Sequence, residues 1–127
     1  MLAGGAGADT LIGGLGSDVF VCNSTADSNS FSRDVIRGDG SSVTFSGVGS
    51  SIGDRIDISG IDANATIVGN QMFQFGLTGV GTISFAEAGA TTLIRGNTDY
   101  DAEYEFIVAI EDGNVRASSY TVADLIL

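Results

Sequence analysis

Two nonapeptides follow each other without a gap near the start of the chain: Gly4-Gly5-Ala6-Gly7-Ala8-Asp9-Thr10-Leu11-Ile12 and Gly13-Gly14-Leu15-Gly16-Ser17-Asp18-Val19-Phe20-Val21. Three glycines, an aspartate and a large apolar residue recur at a period of nine. The first six residues of each unit are typical of a turn, whereas the last three favour strands. The repeats therefore predict two glycine-rich turns, each leading into a short β-strand.

The rest of the chain has the pattern of an all-β protein. Residues 23–33 are polar and loop-like, and from residue 34 onward short apolar runs alternate with glycine-centred turns. The runs lie at residues 43–45, 55–58, 66–68, 72–75, 82–85 and 91–95. The longest strand candidate, residues 103–111, places Tyr104, Phe106, Val108 and Ile110 on one face. Residues 122–127 are predicted to form a terminal turn or a final strand.

The composition indicates a folded, strongly acidic domain. The length of 127 residues suffices for a hydrophobic core, and 43% of the residues are hydrophobic. The formal net charge is -11, and all five basic residues are arginine. Such a chain offers no basic surface to the phosphates of nucleic acid or to an anionic membrane. No apolar stretch approaches membrane-spanning length, so neither nucleic-acid binding nor membrane insertion is expected.

Aspartate supplies most of the negative charge, with twelve aspartates against four glutamates. Its short carboxylate suits turns and hard cations, and calcium takes roughly six to eight oxygen ligands. Glycine allows a turn to adopt positive φ and to bring backbone carbonyl oxygens inward. The nonapeptides resemble the calcium-binding repeat of RTX proteins, and this resemblance implies a Ca²⁺ site that involves Gly5, Gly7, Asp9, Gly14, Gly16 and Asp18. Asp27 and Asp34, from the segment after Cys22, are further candidate ligands.

The residue types argue against catalysis by this chain. The sequence contains no histidine, which excludes histidine zinc sites and catalytic pairs of histidine with serine or cysteine. The single cysteine, Cys22, lies in an apolar run and is expected to be a buried small apolar residue. Glu103 and Glu105 are expected to be solvated carboxylates on one strand face rather than an acid–base pair. We therefore predict no catalytic residues.

One further segment has oxygen-bearing side chains at alternate positions. The run Asn97-Thr98-Asp99-Tyr100-Asp101 begins like an EF-hand loop. Such a loop needs glycine at its sixth position and glutamate at its twelfth, where this chain has Ala102 and Val108. The prediction for this segment is a hairpin turn that leads into the long strand.

Three further segments follow the repeats. These are Thr25-Ala26-Asp27-Ser28, then Arg33-Asp34-Val35-Ile36-Arg37, and, after a glycine- and serine-rich insertion at residues 40–53, Gly53-Asp54-Arg55-Ile56-Asp57-Ile58-Ser59-Gly60-Ile61-Asp62-Ala63-Asn64. The chain ends in Tyr120-Thr121-Val122-Ala123-Asp124-Leu125-Ile126-Leu127. With these features, residues 4–127 resemble the C-terminal domain of serralysin-type secreted metalloproteases and related RTX exoproteins.

The resemblance implies a single all-β domain over residues 1–127. The repeats, residues 1–22, would form a short parallel β-roll that continues into a β-sandwich cap at residues 23–127. In rolls of this kind successive turns alternate sides, and each ion lies between turns i and i+2. Two repeats therefore need ligands from elsewhere, which Asp27 and Asp34 or an upstream domain of a larger protein would supply.

The resemblance also implies export by the type I pathway, in which an ABC transporter reads an uncleaved C-terminal signal. The signal would be Asp124, Leu125, Ile126 and Leu127. Removing these residues is expected to stop export and to leave folding largely intact. The protein is accordingly expected to be a secreted, extracellular bacterial protein without an N-terminal signal peptide.

The sequence thus predicts a non-catalytic calcium-binding module that folds on binding Ca²⁺ outside the cell. Two alternatives stay open. The chain could be a fragment of a secreted zinc metalloprotease whose catalytic domain is absent, which an upstream H-E-x-x-H helix would indicate. It could instead be an extracellular adhesive module that binds polysaccharide, as in the calcium-binding modules of alginate epimerases, which calcium-dependent glycan binding would indicate.

Overall fold

The structure, a computed structural model, describes residues 1–41, 43–76 and 79–127. In these ranges the chain forms nine strands and two short 3₁₀ turns, Ala117–Ser119 and Val122–Asp124. The strands are β1 (Thr10–Leu11), β2 (Val19–Val21), β3 (Asp34–Ile36), β4 (Arg55–Asp57), β5 (Gln74–Phe75), β6 (Thr82–Ala88), β7 (Thr91–Asn97), β8 (Phe106–Ile110) and β9 (Leu125–Ile126). Among the described residues, no helix is long and apolar enough to cross a membrane.

The two repeats adopt matching turns. The second glycine of each unit has φ of 82° (Gly5 and Gly14), and the third has φ of 124° in Gly7 and 107° in Gly16. Side chains are disfavoured in this left-handed region, so glycine at these positions is what allows the chain to reverse. Each turn delivers its last residues into a strand, β1 or β2, as the repeats predict.

Successive strands of the N-terminal part alternate between two sheets, which makes a parallel roll. β1 pairs with β3 in one sheet, and β2 pairs with β4 in the other, both in parallel. Leu2 forms an isolated parallel bridge to Phe20, with hydrogen bonds of 2.7 Å to the backbone of Val19 and Val21. Leu2 precedes Leu11 by nine residues, so the apolar period extends one unit before the repeats that the sequence pattern identifies.

The later strands continue the same sheets. The six-stranded sheet has the order β1-β3-β8-β7-β6-β5, in which β6, β7 and β8 are antiparallel neighbours. The three-stranded sheet has the order β2-β4-β9, so the last strand of the chain lies beside β4. The predicted all-β class with a parallel roll is confirmed, and the strands after the roll extend its own sheet.

Side chains from both sheets meet in one hydrophobic core. The three-stranded sheet contributes Phe20, Ile56 and Leu125, and the six-stranded sheet contributes Leu11, Ile36, Ile83, Ile94, Phe106, Val108 and Ile110. A row of aromatic rings crosses this core. Ring centroids lie 6.2 Å apart for Phe20 and Phe45, 5.5 Å for Phe45 and Tyr120, and 4.8 Å for Tyr120 and Phe85. These contacts join the second repeat to the C-terminal region.

The longest predicted strand is shorter than expected and is buried on both faces. It runs over Phe106–Ile110 rather than residues 103–111, and all five of its residues are buried. It lies between β3 and β7 in the sheet, and Ser28 contacts its backbone at Ile107. Ser28 donates its hydroxyl hydrogen to the carbonyl of Ile107, and the N–H of Ile107 donates to the carbonyl of Ser28.

Other strand predictions have mixed outcomes. The runs at residues 43–45 and 66–68 form turns and bends rather than strands. The run at residues 72–75 forms a strand only at Gln74–Phe75. The terminal segment contains both predicted forms, a 3₁₀ turn at Val122–Asp124 followed by β9. Short apolar runs in this chain therefore mark neither strands nor buried positions by themselves, since Val68 in the second run is 99% exposed.

Two isoleucine substitutions test the core. Ile56 is fully buried in β4, whereas Ile52 lies just before that strand and is 83% exposed. Ile56→Ala is expected to lower the free energy of unfolding by about 2–5 kcal/mol, because it leaves a cavity. Ile52→Ala, the matched control, is expected to change it by less than about 0.5 kcal/mol. Urea denaturation of both variants under the same conditions measures the difference, and equal losses would contradict the placement of Ile56.

Candidate metal centre

Four aspartates occupy the same place in the roll. Asp9, Asp18, Asp34 and Asp54 each stand two residues before a buried apolar residue of β1, β2, β3 or β4. Those apolar residues are Leu11, Phe20, Ile36 and Ile56. Because the strand pairs are parallel and in register, the aspartates come together in two pairs, Asp9 with Asp34 and Asp18 with Asp54.

The first pair presents two buried carboxylate oxygens that lack a hydrogen bond. The N–H of Asp9 donates to Oδ1 of Asp34 over 2.9 Å. Within the described ranges, Oδ2 of Asp9 and Oδ2 of Asp34 are both buried and accept no hydrogen bond. Asp34 is only 1% exposed, and its own N–H donates to Oγ of Ser28. A buried anionic oxygen without a partner is costly, so this arrangement favours a cation.

Burial raises the pKa of the Asp34 carboxyl above its ordinary value. The hydrogen bond from the Asp9 N–H acts in the opposite direction, and the negative charges of Asp9 and Asp27 add to the increase. The buried Asp34 carboxylate is therefore repelled by the charges of Asp9 and Asp27. A divalent cation would remove this repulsion.

The second pair is arranged differently. The N–H of Asp18 donates to Oδ1 of Asp54 over 2.8 Å, as in the first pair. Oδ2 of Asp54, however, accepts a hydrogen bond of 2.9 Å from the N–H of Ser46, in the insertion. Oδ2 of Asp18 is buried and accepts no hydrogen bond from the described part of the chain. This pair therefore presents one free buried oxygen rather than two.

The first glycine of each repeat makes room for the aspartate of that repeat. A Cβ on Gly4 would lie 2.6 Å from Oδ2 of Asp9, and one on Gly13 would lie 2.9 Å from Oδ2 of Asp18. Sequence reasoning did not include these two glycines in the site. It named Gly5, Gly7, Gly14 and Gly16, whose positive φ shapes the turns. The role of their carbonyl oxygens as ligands stays a prediction.

Asp27 follows the repeats in the chain, and its negative charge acts on Asp34 of the first pair. Its Oδ2 accepts a hydrogen bond of 2.8 Å from the N–H of Asn23, which closes a turn. Its negative charge raises the pKa of both Asp34 and Cys22. The role of Asp27 as a ligand stays a prediction.

Asp54 is the aspartate that sequence reasoning missed as a site residue. Asp54-Arg55-Ile56 repeats the spacing of Asp9-Thr10-Leu11, with an aspartate two residues before a buried apolar residue. This spacing could have identified Asp54 as a site residue. The relation was not evident because Asp54 lies thirty-six positions after its partner Asp18, beyond the insertion.

A separate acidic group lies in the connection between β7 and β8. Ligand atoms of Asp99, Asp101 and Glu105 lie within 4.8 Å of one another. Each of these carboxylates accepts a backbone N–H from the same connection, including one of 2.6 Å from Thr98 to Glu105. The predicted hairpin turn is confirmed, because the connection joins antiparallel β7 and β8. The predicted strand face for Glu103 and Glu105 is wrong, because β8 begins after both residues.

Cys22 is buried as predicted, with 2% of its surface exposed. Burial raises the pKa of its thiol to about 12, and the charges of Asp34, Asp27 and Asp57 add to the effect. Such a thiol is almost entirely protonated at neutral pH and is a poor nucleophile. Cys22 therefore belongs to the core.

The C-terminal residues are built into the fold. Asp124 is fully buried, and its carboxylate accepts hydrogen bonds from the N–H groups of Gly49 and Thr121 at 2.8–2.9 Å. Leu125 is 2% exposed, and the carbonyl of Ile126 accepts the N–H of Ile58. The expectation that this segment can be removed without loss of folding is therefore wrong. The role of Asp124, Leu125, Ile126 and Leu127 in export stays a prediction.

The model of the peptidase M10 serralysin C-terminal family matches residues 2–126. The chain belongs to this family. The family domain corresponds to a non-catalytic part of the serralysin protease, and such domains belong to secreted proteins. A search of curated protein sequences found no match.

Among solved structures, the chain is similar to the R3 subunit of AlgE6, a mannuronan C5-epimerase of Azotobacter vinelandii, with 23% sequence identity and a TM-score of 0.28. That similarity covers 98% of this chain and 65% of the subunit.

Two substitutions test the hydrogen bonds that the buried Asp124 carboxylate accepts. Asp124→Asn replaces an acceptor of three hydrogen bonds by an amide whose nitrogen cannot accept them, so a loss of about 1–3 kcal/mol in the free energy of unfolding is expected. Asp101→Asn removes the same charge from an exposed side chain and serves as the matched control. Urea denaturation compares them. An Asp124 variant as stable as the control would contradict the assignment of these hydrogen bonds.

Proposed function

We propose that this domain is a non-catalytic calcium-binding module of a larger exoprotein, and that it folds on binding Ca²⁺ outside the cell. The observation that supports this most strongly is the set of buried carboxylate oxygens on Asp9, Asp18 and Asp34 that have no hydrogen-bond partner among the described residues. They stand at equivalent positions of a parallel roll in a chain of the serralysin C-terminal family. A folded protein that buries such oxygens needs a positive group beside them.

The residues around these oxygens favour calcium over other positive groups. Every candidate ligand atom is an oxygen, since the chain has no histidine and its cysteine is protonated in the core. Hard oxygen sites select calcium, magnesium or manganese. Magnesium demands a near-ideal octahedron and keeps several waters, whereas calcium accepts irregular arrangements of carboxylates and turn carbonyls. The glycine turns of the repeats supply carbonyl groups of that kind.

The same residues couple binding to folding. Without a cation, Asp9 and Asp34 hold neighbouring buried charges, which opposes closure of the roll. Bound calcium stabilises only the folded chain, by about 2.7 kcal/mol at a concentration one hundred times the dissociation constant. Extracellular modules bind calcium at about 10⁻⁴–10⁻³ M, above the free concentration expected in a bacterial cytosol. The chain would therefore stay open inside the cell and close outside it.

The proposal includes a C-terminal signal for an ABC transporter of the type I pathway. Asp124 and Leu125 are almost completely buried in the folded domain. A transporter could contact these side chains only before the domain folds, which fits a chain that stays open at low calcium. An upstream domain of the larger exoprotein would carry any catalytic activity, such as that of a zinc protease.

Calcium titration tests the proposal directly. Circular dichroism is expected to show a transition to the folded state at submillimolar to millimolar calcium, which EDTA reverses. Magnesium at the same concentrations is the ion control. In parallel, Cys22 is expected to react with a thiol reagent at pH 8 in EDTA and to be protected in calcium, because folding buries it. The double variant Asp9→Ala, Asp18→Ala is expected to lose both responses. A chain that is fully folded in EDTA and gains no stability from calcium would overturn the proposal.

Export of the domain tests the C-terminal signal. Deletion of residues 124–127 is expected to abolish secretion by cells that carry a type I system. Because the deletion also removes buried residues, Ile56→Ala serves as the control for impaired folding with the C-terminus intact. Secretion of the control and retention of the deletion variant are expected, measured by immunoblot of medium and cells. Normal secretion of the deletion variant would rule out this segment as the signal.

A further inference from the structure

The two repeats differ in what surrounds their aspartates, and the difference comes from one residue of the insertion. Ser46 contacts both the turn of the second repeat and Asp54, the partner of the aspartate in that repeat. Its N–H donates to Oδ2 of Asp54, and its hydroxyl donates to the carbonyl oxygen of Gly16 over 2.9 Å. Both acceptors are oxygens of the kind that a calcium ion would use beside Asp18. Ser46 therefore places two hydrogen-bond donors where a cation would be expected.

The first repeat has no counterpart to Ser46. In the described part of the chain, no hydrogen bond reaches the carbonyl oxygen of Gly7, which is equivalent to Gly16. Oδ2 of Asp34, which is equivalent to Oδ2 of Asp54, is buried and equally without a partner. In the segment that leads into Asp34, the hydroxyl oxygen of Ser28 accepts the N–H of Asp34, and the hydroxyl hydrogen is donated to the carbonyl of Ile107 rather than to the Asp34 carboxylate.

The loop that carries Ser46 is held in this position by its own backbone and by the second repeat. Gly47 and Gly49 have positive φ, and a Cβ on Gly53 would lie 2.2 Å from the carbonyl oxygen of Ser46. That carbonyl accepts the N–H of Asp54, and the hydroxyl of Ser17 donates to the carbonyl of Ile52 over 2.6 Å. The contact of Ser46 with the second repeat is thus part of a tight turn and not a chance approach of a mobile loop.

We infer that Ser46 takes the place of a cation at the second repeat, so that the Asp9–Asp34 pair is the high-affinity calcium site and the Asp18–Asp54 pair is held mainly by hydrogen bonds. This inference rests on the proposed calcium-binding function and adds a ranking of the two aspartate pairs by calcium affinity. The number of charged ligands is one factor that sets the calcium affinity of an oxygen site. Among the described residues, the Asp9–Asp34 pair has two buried carboxylate oxygens without a hydrogen bond, whereas the Asp18–Asp54 pair has one.

A matched pair of substitutions tests the ranking. Asp9→Asn and Asp18→Asn make the same change at the same position of the two repeats. Isothermal titration of the full chain with calcium is expected to show affinity weakened by about tenfold or more for Asp9→Asn and by less than about twofold for Asp18→Asn. Equal losses, or a larger loss for Asp18→Asn, would overturn the ranking and leave the calcium-binding function intact. No binding by the unsubstituted chain would overturn both.

A second measurement keeps the test decisive if Asp9→Asn fails to fold. Crystals of the unsubstituted chain grown at a calcium concentration near its dissociation constant are expected to show density for an ion between Asp9 and Asp34. At the second repeat, Ser46 is expected to keep both hydrogen bonds, without an ion beside Asp18. An ion of equal or higher occupancy at Asp18, with Ser46 displaced, would contradict the inference.

Discussion

The parallel register of two strand pairs is the constraint on which the rest of this structure depends. In each pair an aspartate stands two residues before a buried apolar side chain, so pairing in register brings two carboxylates together, Asp9 with Asp34 and Asp18 with Asp54. A slip of one residue would turn the apolar side chains out of the core, so the register is firmly held. Packing of the core therefore brings the carboxylates of each pair together, and other groups have to compensate their negative charges.

Two different means are visible on the two sides of the roll. The N–H and hydroxyl of Ser46 supply hydrogen bonds to the second pair and its turn, which a glycine-rich loop with unusual backbone angles makes possible. In the described ranges the first pair has no such loop and keeps two buried oxygens that accept no hydrogen bond. Arginine is not used on either side, although the chain does contain an exposed ion pair of Arg37 with Glu111, whose hydrogen bond holds the glutamate pKa below its ordinary value. Under the proposed function, a cation from solution would neutralise Asp9 and Asp34.

Sequence reasoning found the parts of the site that repeat and missed the parts that depend on tertiary contacts. The period of nine predicted β1, β2 and the acidic positions Asp9 and Asp18, because turn and strand preferences there are local. Asp54 escaped notice because its relation to Asp18 exists only through strand pairing across the insertion. The role of Ser46 could not be read from an isolated serine in a polar stretch. Likewise the alternation at residues 103–111 suggested an exposed face, whereas all five residues of β8 are buried and Ser28 bonds to its backbone.

The insertion also links the repeats to the end of the chain. The loop that donates the Ser46 N–H to Asp54 donates the Gly49 N–H to Asp124, and β4 lies between β2 and β9 in one small sheet. Opening of the second repeat would release the loop, and release of the loop would leave the buried Asp124 carboxylate without one of its two donor groups. Closure of the roll and burial of the C-terminal residues are therefore parts of one cooperative unit. In such a unit a cation bound at the first repeat would also favour burial of the C-terminal residues, more than one hundred positions away in sequence.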